Sequence, residues 1–343
     1  MSNIWQTVYP IVIAVLFFEL IIVIHEGGHF IAARLMKIKV NEFSIGMGPK
    51  LFQIKRGDTD YTLRIIPFGG YCAMEGEDKD SDDENAFVNK KVIQRIFVVV
   101  AGALMNLLLG ILIILGMVCS QNLVGVPAIA DFDEDAVSSS VLRVDDRILA
   151  IDGMRVYTTT DISTGFSRSP DDEVEFLVRR DGETQTVNAR FNTQTIDGKQ
   201  YIDMDFYLYG VEKNVPNVIK ETLRQFMSFC RIIFLSVHDL ITGKYGLSDM
   251  SGPVGAVSVV SGAVKISPTS TFRIMALLTI NIGIFNLFPF PALDGWRLFV
   301  LAYEGIFRKK MSSKYEWMIN AVGLAVLLGL MCLVTFSDIT RLF

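Results

Sequence analysis

The chain has 343 residues, of which 51% are hydrophobic and only 20% charged, a balance too apolar for an ordinary soluble enzyme. Its formal charge of −5, with no basic cluster interleaved with aromatics, excludes the electrostatic footprint of a nucleic-acid binder. Four unpaired-looking cysteines, Cys72, Cys119, Cys230 and Cys332, exclude a disulfide framework and a cysteine-based zinc site, so any metal must use His, Asp or Glu.

Four stretches, residues 8–36, 96–118, 272–290 and 317–338, are long and apolar enough for a bilayer core of about 30 Å, which takes roughly 20 helical residues. The first has no basic flank before it and no small-residue cleavage site after it, so it reads as a retained span. Lysine and arginine crowd residues 34–64 and 90–95 and return at Arg308, Lys309, Lys310 and Lys314. Those two loops are therefore expected in the cytoplasm, with the acid-rich segment 120–271 and both termini outside.

In chain order the expected pieces are a first span (1–38), a β-rich cytoplasmic loop (39–94), a second span (95–119), an external α+β domain (120–212), an amphipathic helix with a connecting segment (213–271), a third span (272–296), a cytoplasmic loop (297–316) and a fourth span (317–343). Within 43–75, Gly46, Gly48, Gly57, Pro67, Gly69 and Gly70 punctuate a loose alternation, as in hairpins, and the acidic run 77–84 reads as a solvated loop. The external domain shows strand-like runs at 146–151, 174–179 and 184–191, turns at Asp152-Gly153 and Asp181-Gly182, and a short helix at 160–166. From 217 to 241, Asn217, Lys220, Glu221, Arg224, Ser228 and Arg231 form one polar stripe. That segment is either an interfacial helix on the outer leaflet or a helix packed under the external domain.

The chemistry begins at His25-Glu26-Gly27-Gly28-His29. On a helix, positions i and i+4 share a face, so both imidazoles can reach one Zn²⁺ while Glu26 stands beside them to handle the proton of a water. Only three histidines exist in the chain, and two buried with a glutamate in lipid would be costly without a purpose. A catalytic zinc takes three protein ligands; a third His six residues after His29 is absent, since Leu35 stands there. Asp294 is the candidate instead, beyond the helix-breaking Pro289 and Pro291; the other reading is an ordinary helix-end aspartate. At about 1.5 Å per residue, His25 lies about 22 Å below Pro10, and the third span descends about 24 Å from Phe272 to Phe288. The two arrive at one level only if an even number of crossings separates them, which four spans provide. Glu19, seven residues before Glu26, should face a wet cavity rather than lipid, and His238 has no partner at ligand spacing.

These motifs resemble the bacterial site-2 proteases, the RseP-type zinc intramembrane metalloproteases, over nearly the whole length. The resemblance is carried by His25 to His29, Pro67-Phe68-Gly69-Gly70-Tyr71, Ala101-Gly102 with Asn106, Ser251-Gly252-Pro253-Val254-Gly255, and the run 286–295. It implies one PDZ-like external domain, around Ser140 to Ile148, although Val141 and Asp145 stand where the pattern has glycine and Ala103 stands where the family often has proline. It implies cleavage of the transmembrane helix of single-span proteins (anti-sigma factors, remnant signal peptides), already trimmed by an upstream site-1 protease, in the bacterial inner membrane. It also implies zinc on His25, His29 and Asp294, with Glu26 as the general base. Asn286 would hold substrate or the oxyanion; Asn106 either shares that role or bonds helix to helix. The residues 43–75 would lend an edge strand to an unwound substrate, or simply cover the site. The rivals are a non-catalytic membrane scaffold with a structural metal, against which Glu26 argues, and an ion transporter, against which the lack of inverted repeats argues.

Overall fold

The computed structural model describes residues 2–77, 79–169, 171–196, 199–244, 246, 250–309 and 311–342. Asp78 of the acidic run, residues 245 and 247–249 of the connecting segment, and Lys310 lie outside the described residues. The elements are α1 (Ser2–Leu35), β1 (Val40–Arg56), β2 (Thr59–Met74), α2 (Val92–Ser120), β3 (Leu123–Phe132), β4 (Arg147–Ile151), β5 (Met154–Arg155), α3 (Thr159–Arg168), β6 (Glu173–Arg180), β7 (Glu183–Arg190), β8 (Thr193–Ile196), β9 (Lys199–Ile202), β10 (Phe206–Glu212), α4 (Val215–Ile241), α5 (Pro253–Ile266), α6 (Pro268–Asn286), α7 (Asp294–Phe307) and α8 (Ser313–Leu342). They form two compact units, Met1–Ile113 with His238–Phe343, and Ile114–Val237.

Among the described residues, α1, α6 and α8 of the first unit, and α2, which runs from the first unit into the second, contain stretches long and apolar enough to cross a bilayer, Val8–Leu35, Pro268–Asn286, Tyr315–Thr340 and Val92–Ser120. The chain is a multi-pass membrane protein carrying β-sheets. With no hydrophobic effect between helices in lipid, close approach rests on small residues. A Cβ on Gly28 of α1 would stand 2.5 Å from Ala101 O of α2, and one on Gly110 of α2 would stand 2.4 Å from Ile280 of α6.

The β-rich loop is larger than a simple hairpin. Residues 42–45 pair with 70–73 on one side and with 60–63 on the other, and 60–64 pair again with 50–55. The two long bent strands thus make four short ones in the order 50–55, 60–64, 42–45, 70–73. Arg64 knits this sheet, donating to Ser44 Oγ at 3.0 Å and to Glu42 Oε1 at 2.8 Å. Burial pushes Glu42 upward, but the hydrogen bonds from Thr62 and Arg64 hold its carboxyl below the ordinary value. The sheet runs beside α1: Gly70 approaches Ile22 and Glu26, and Glu19 lies near Gly46 and Gly69 with both carboxylate oxygens sealed from solvent, not facing the wet cavity expected of it. Leu51, Phe52 and Ile65 are exposed, unlike the side chains of a loop bathed in water.

Two helices fall where the sequence reads as connection. The run after Gly252 is rich in glycine and β-branched residues, poor local signals for a helix, yet α5 forms with Pro253 at its start. Its first N–H groups find a distant acceptor: Asp338 Oδ2 of α8 accepts from Gly252 N at 2.9 Å and from Gly255 N at 2.8 Å. The expected loop 297–316 likewise opens with α7, which packs Val300 and Leu301 inward.

In the second unit, β10, β3, β4, β6 and β7 lie in that order, with β5 on β4. Ile129, Ile148, Phe166, Phe176, Phe191 and Phe206 fill the core under α3. Asp152-Gly153 and Asp181-Gly182 turn the hairpins with all four residues left-handed, as two-residue connections require. Asp145, which replaces a pattern glycine, keeps a φ of 71° and is tied down by its N–H to Ile129 O at 2.9 Å. The N-terminal portion of α4 inverts the usual burial. Its polar Glu221, Gln225 and Ser228 are buried, while Val215, Ile219, Leu223 and Met227 are exposed. Ser228 Oγ donates to Asp161 of α3, and Arg231 pairs with the same carboxylate. The polar stripe therefore serves the unit's own packing.

Candidate metal centre

Helical spacing brings His25 and His29 to one face of α1, their Nε2 atoms 3.2 Å apart. Asp294 Oδ2 completes a triangle, 3.0 Å from His25 Nε2 and 3.2 Å from His29 Nε2. His29 Nδ1 donates to Val98 O at 2.9 Å, so in the neutral ring Nε2 carries only a lone pair. Asp294 Oδ2 is sealed from solvent and has no hydrogen-bond donor among the described residues. Lone pairs held this close repel unless a cation lies among them. Ligands about 2.0–2.1 Å from a tetrahedral zinc stand about 3.3 Å from one another, and sets of two imidazoles with one carboxylate are known for catalytic zinc. The donor set therefore fits zinc.

α2 forms the wall behind the imidazoles. Gly102 has no side chain where a Cβ would come within 2.4 Å of His29 Nε2, and Asn106, fully buried, faces His25 Nδ1 at 3.4 Å. Asp294 arrives by a different route. After α6 ends at Asn286, the segment with Pro289 and Pro291 folds tightly back, so that a Cβ on Gly295 would meet Phe288 O at 2.1 Å. Ala292 turns the chain with a φ of 76°. Pro291 seats against Gly323 of α8, and Ala292 N donates to Asn320 Oδ1 at 3.3 Å. α7 then starts at Asp294 itself, where the helix dipole favours an acid. The helix is fastened by Arg95 to Glu304 at 2.6 Å and by Arg297 to Glu77.

A cavity of about 350 Å³ opens onto this cluster, lined by Glu26, His29, Asp294 and the 71–74 strand among others. Glu26 lies against the main-chain N–H of Cys72, so the free edge of the sheet borders the site. Burial, with Glu26 and Glu77 nearby, pushes the Cys72 thiol well above its ordinary value; it is a neutral wall and not a nucleophile. Asn286 closes α6, partly buried, and is not among the cavity-lining residues. His238 lies on the surface, its Nδ1 3.6 Å from Asp239 Oδ1. Val98, Arg95, Glu304, Arg297 and Asn320 escape the sequence reading as site residues, and Gly102 enters it only within the Ala101-Gly102 motif. The four-residue spacing of 98, 102 and 106 was the signal that could have added Val98 to that motif.

A fold of spanning helices with an HExxH pair facing a distant carboxylate defines a membrane-embedded zinc metalloprotease. The family model described as Peptidase family M50 matches residues 13–330, and the chain belongs to that family. A Clostridium perfringens protein described as a candidate zinc metalloprotease is 37% identical over 342 residues, covering 96% of this chain and 98% of its own. The zinc metalloprotease RasP of Geobacillus kaustophilus is 28% identical, covering 98% of this chain and 99% of its own. The regulator of sigma-W protease RasP of Bacillus subtilis is 27% identical with the same coverage.

Proposed function

We propose that this metalloprotease cleaves transmembrane segments of single-span membrane proteins, in regulated intramembrane proteolysis. The observation that carries the reading is a zinc-fitting triangle built on a helix of spanning length, beside strand residues 71–74, whose outer edge has no strand partner among the described residues. The Bacillus subtilis relative's name, a regulator of sigma-W protease, favours anti-sigma factors as one substrate class; remnant signal peptides are the other. Both would be trimmed beforehand by a site-1 protease.

Zinc, when held by His25, His29 and Asp294, supplies Lewis acidity that activates water and polarises the scissile carbonyl. Glu26 takes the proton of the attacking water and returns it to the leaving amine. A helical substrate hides its carbonyls in hydrogen bonds, so it must unwind; residues 71–74 then pair with its extended backbone and satisfy groups that lipid cannot. Asn286 steadies the substrate or the oxyanion. The distribution of lysine and arginine supports an orientation with both termini outside the inner membrane and the site near its cytoplasmic side. Residues 120–212 are the PDZ-like external domain, and the exposed apolar stripe of α4 rests on the outer leaflet.

The test compares wild type with Glu26→Gln against a panel of single-span substrates, with zinc measured in both. The expected outcome is full zinc content and cleavage lowered about 100-fold or more. Unchanged cleavage contradicts the mechanism, and an inactive wild type across the panel favours a scaffold.

A further inference from the structure

Val98, Gly102 and Asn106 stand four residues apart on α2 and so share one face, the face that meets His29 and His25. Each imidazole that offers Nε2 to a cation carries its proton on Nδ1, and that N–H requires an acceptor. His29 has one in Val98 O at 2.9 Å. His25 Nδ1 faces the amide of Asn106, whose Nδ2 lies 3.4 Å away. Asn106 Oδ1, meanwhile, is sealed from solvent with no partner among the described residues. A half-turn of the amide exchanges two atoms of nearly equal shape. It gives the orphaned oxygen the ring N–H as its donor and turns Nδ2 to the place the oxygen held.

Resting on the metalloprotease reading above, we infer that Asn106 is a positioning residue for the metal, its amide oxygen accepting from His25 Nδ1–H. This sets the ring's tautomer and aim as the Val98 carbonyl does for His29. Asn106 then touches neither substrate nor oxyanion. One ligand is oriented by main chain, which no substitution removes, and the other by a side chain, which a substitution can.

The test uses the full chain purified in detergent, titrated with a chelator competing for zinc, with the absorption spectrum of Co²⁺-loaded protein as a second readout. Asn106→Leu removes donor and acceptor together and leaves no buried amide unpaired; Asn106→Asp keeps an acceptor alone. Zinc affinity is expected to fall about 10- to 100-fold in Asn106→Leu. In Asn106→Asp it stays near the wild-type value, with the Co²⁺ bands retained. Wild-type affinity in Asn106→Leu, even with cleavage lost, overturns the inference, as does an Asn106→Asp variant that binds zinc no better than Asn106→Leu. The Asp variant decides the matter alone if the Leu variant does not fold. A wild type that binds zinc no better than His25→Ala overturns the metal reading itself, whereas a zinc-loaded wild type indifferent to position 106 overturns this inference only.

Discussion

Gly102 shows how one missing side chain shapes the centre. A methyl group there would come within 2.4 Å of His29 Nε2, far inside van der Waals contact, and the close seating of Gly28 on Ala101 O would be lost if α2 moved away to make room. Gly102→Ala is therefore expected to displace the imidazole and lower zinc retained per chain more than tenfold. Gly116→Ala, with open space around it in the same helix, should retain wild-type zinc and lose nothing in thermal stability, since alanine is the better helix former. Equal zinc content in the two variants would contradict the packing described here. The same reasoning separates Glu26 from its neighbours: it borders the cavity without joining the ligand triangle, as expected of a base.

At the scale of elements, α7 matters most, because Asp294 is its first residue. Arg95 and Glu304 bind it to α2 through side chains only 7% and 14% exposed. Removing one partner of such a pair strands the other charge, so Arg95→Met should cost about 3–5 kcal/mol. Replacing both, as Arg95→Met with Glu304→Leu, should recover most of that loss in thermal unfolding; a double variant as unstable as the single one would show that the ion pair is not the fastening. This helix was hidden in the sequence because its charges read as a loop boundary. α5 was hidden for a related reason: Gly252 and Gly255 suggest a turn, and the acid that caps them lies more than 80 residues away at Asp338. The doubled pairing of β1 and β2 depends on a bend that alternation does not encode. By contrast, the strands around Asp152-Gly153 and Asp181-Gly182 were legible, since their turn chemistry is local. The approach of Asp294 to His25 and His29 was signalled by the helical period and by the two prolines beyond α6.

At the scale of the whole molecule, the four candidate spans among the described residues impose an order on everything else. α1 and the segment after α6 bring His25, His29 and Asp294 together, and the sheet beside α1 brings residues 71–74 to the same cavity. Within the second unit, α4 turns Glu221, Gln225 and Ser228 inward and leaves Val215, Ile219, Leu223 and Met227 exposed. At the centre stand His25, His29 and Asp294, proposed to hold a single zinc ion. Zinc-edge X-ray absorption on the purified chain tests it most directly, with Asp294→Ala measured alongside. One zinc per chain with two imidazole nitrogens and oxygen in its shell, and its loss or weakening in the variant, is the predicted result. Zinc bound with sulfur in its shell, or a shell unchanged by removal of Asp294, would contradict it.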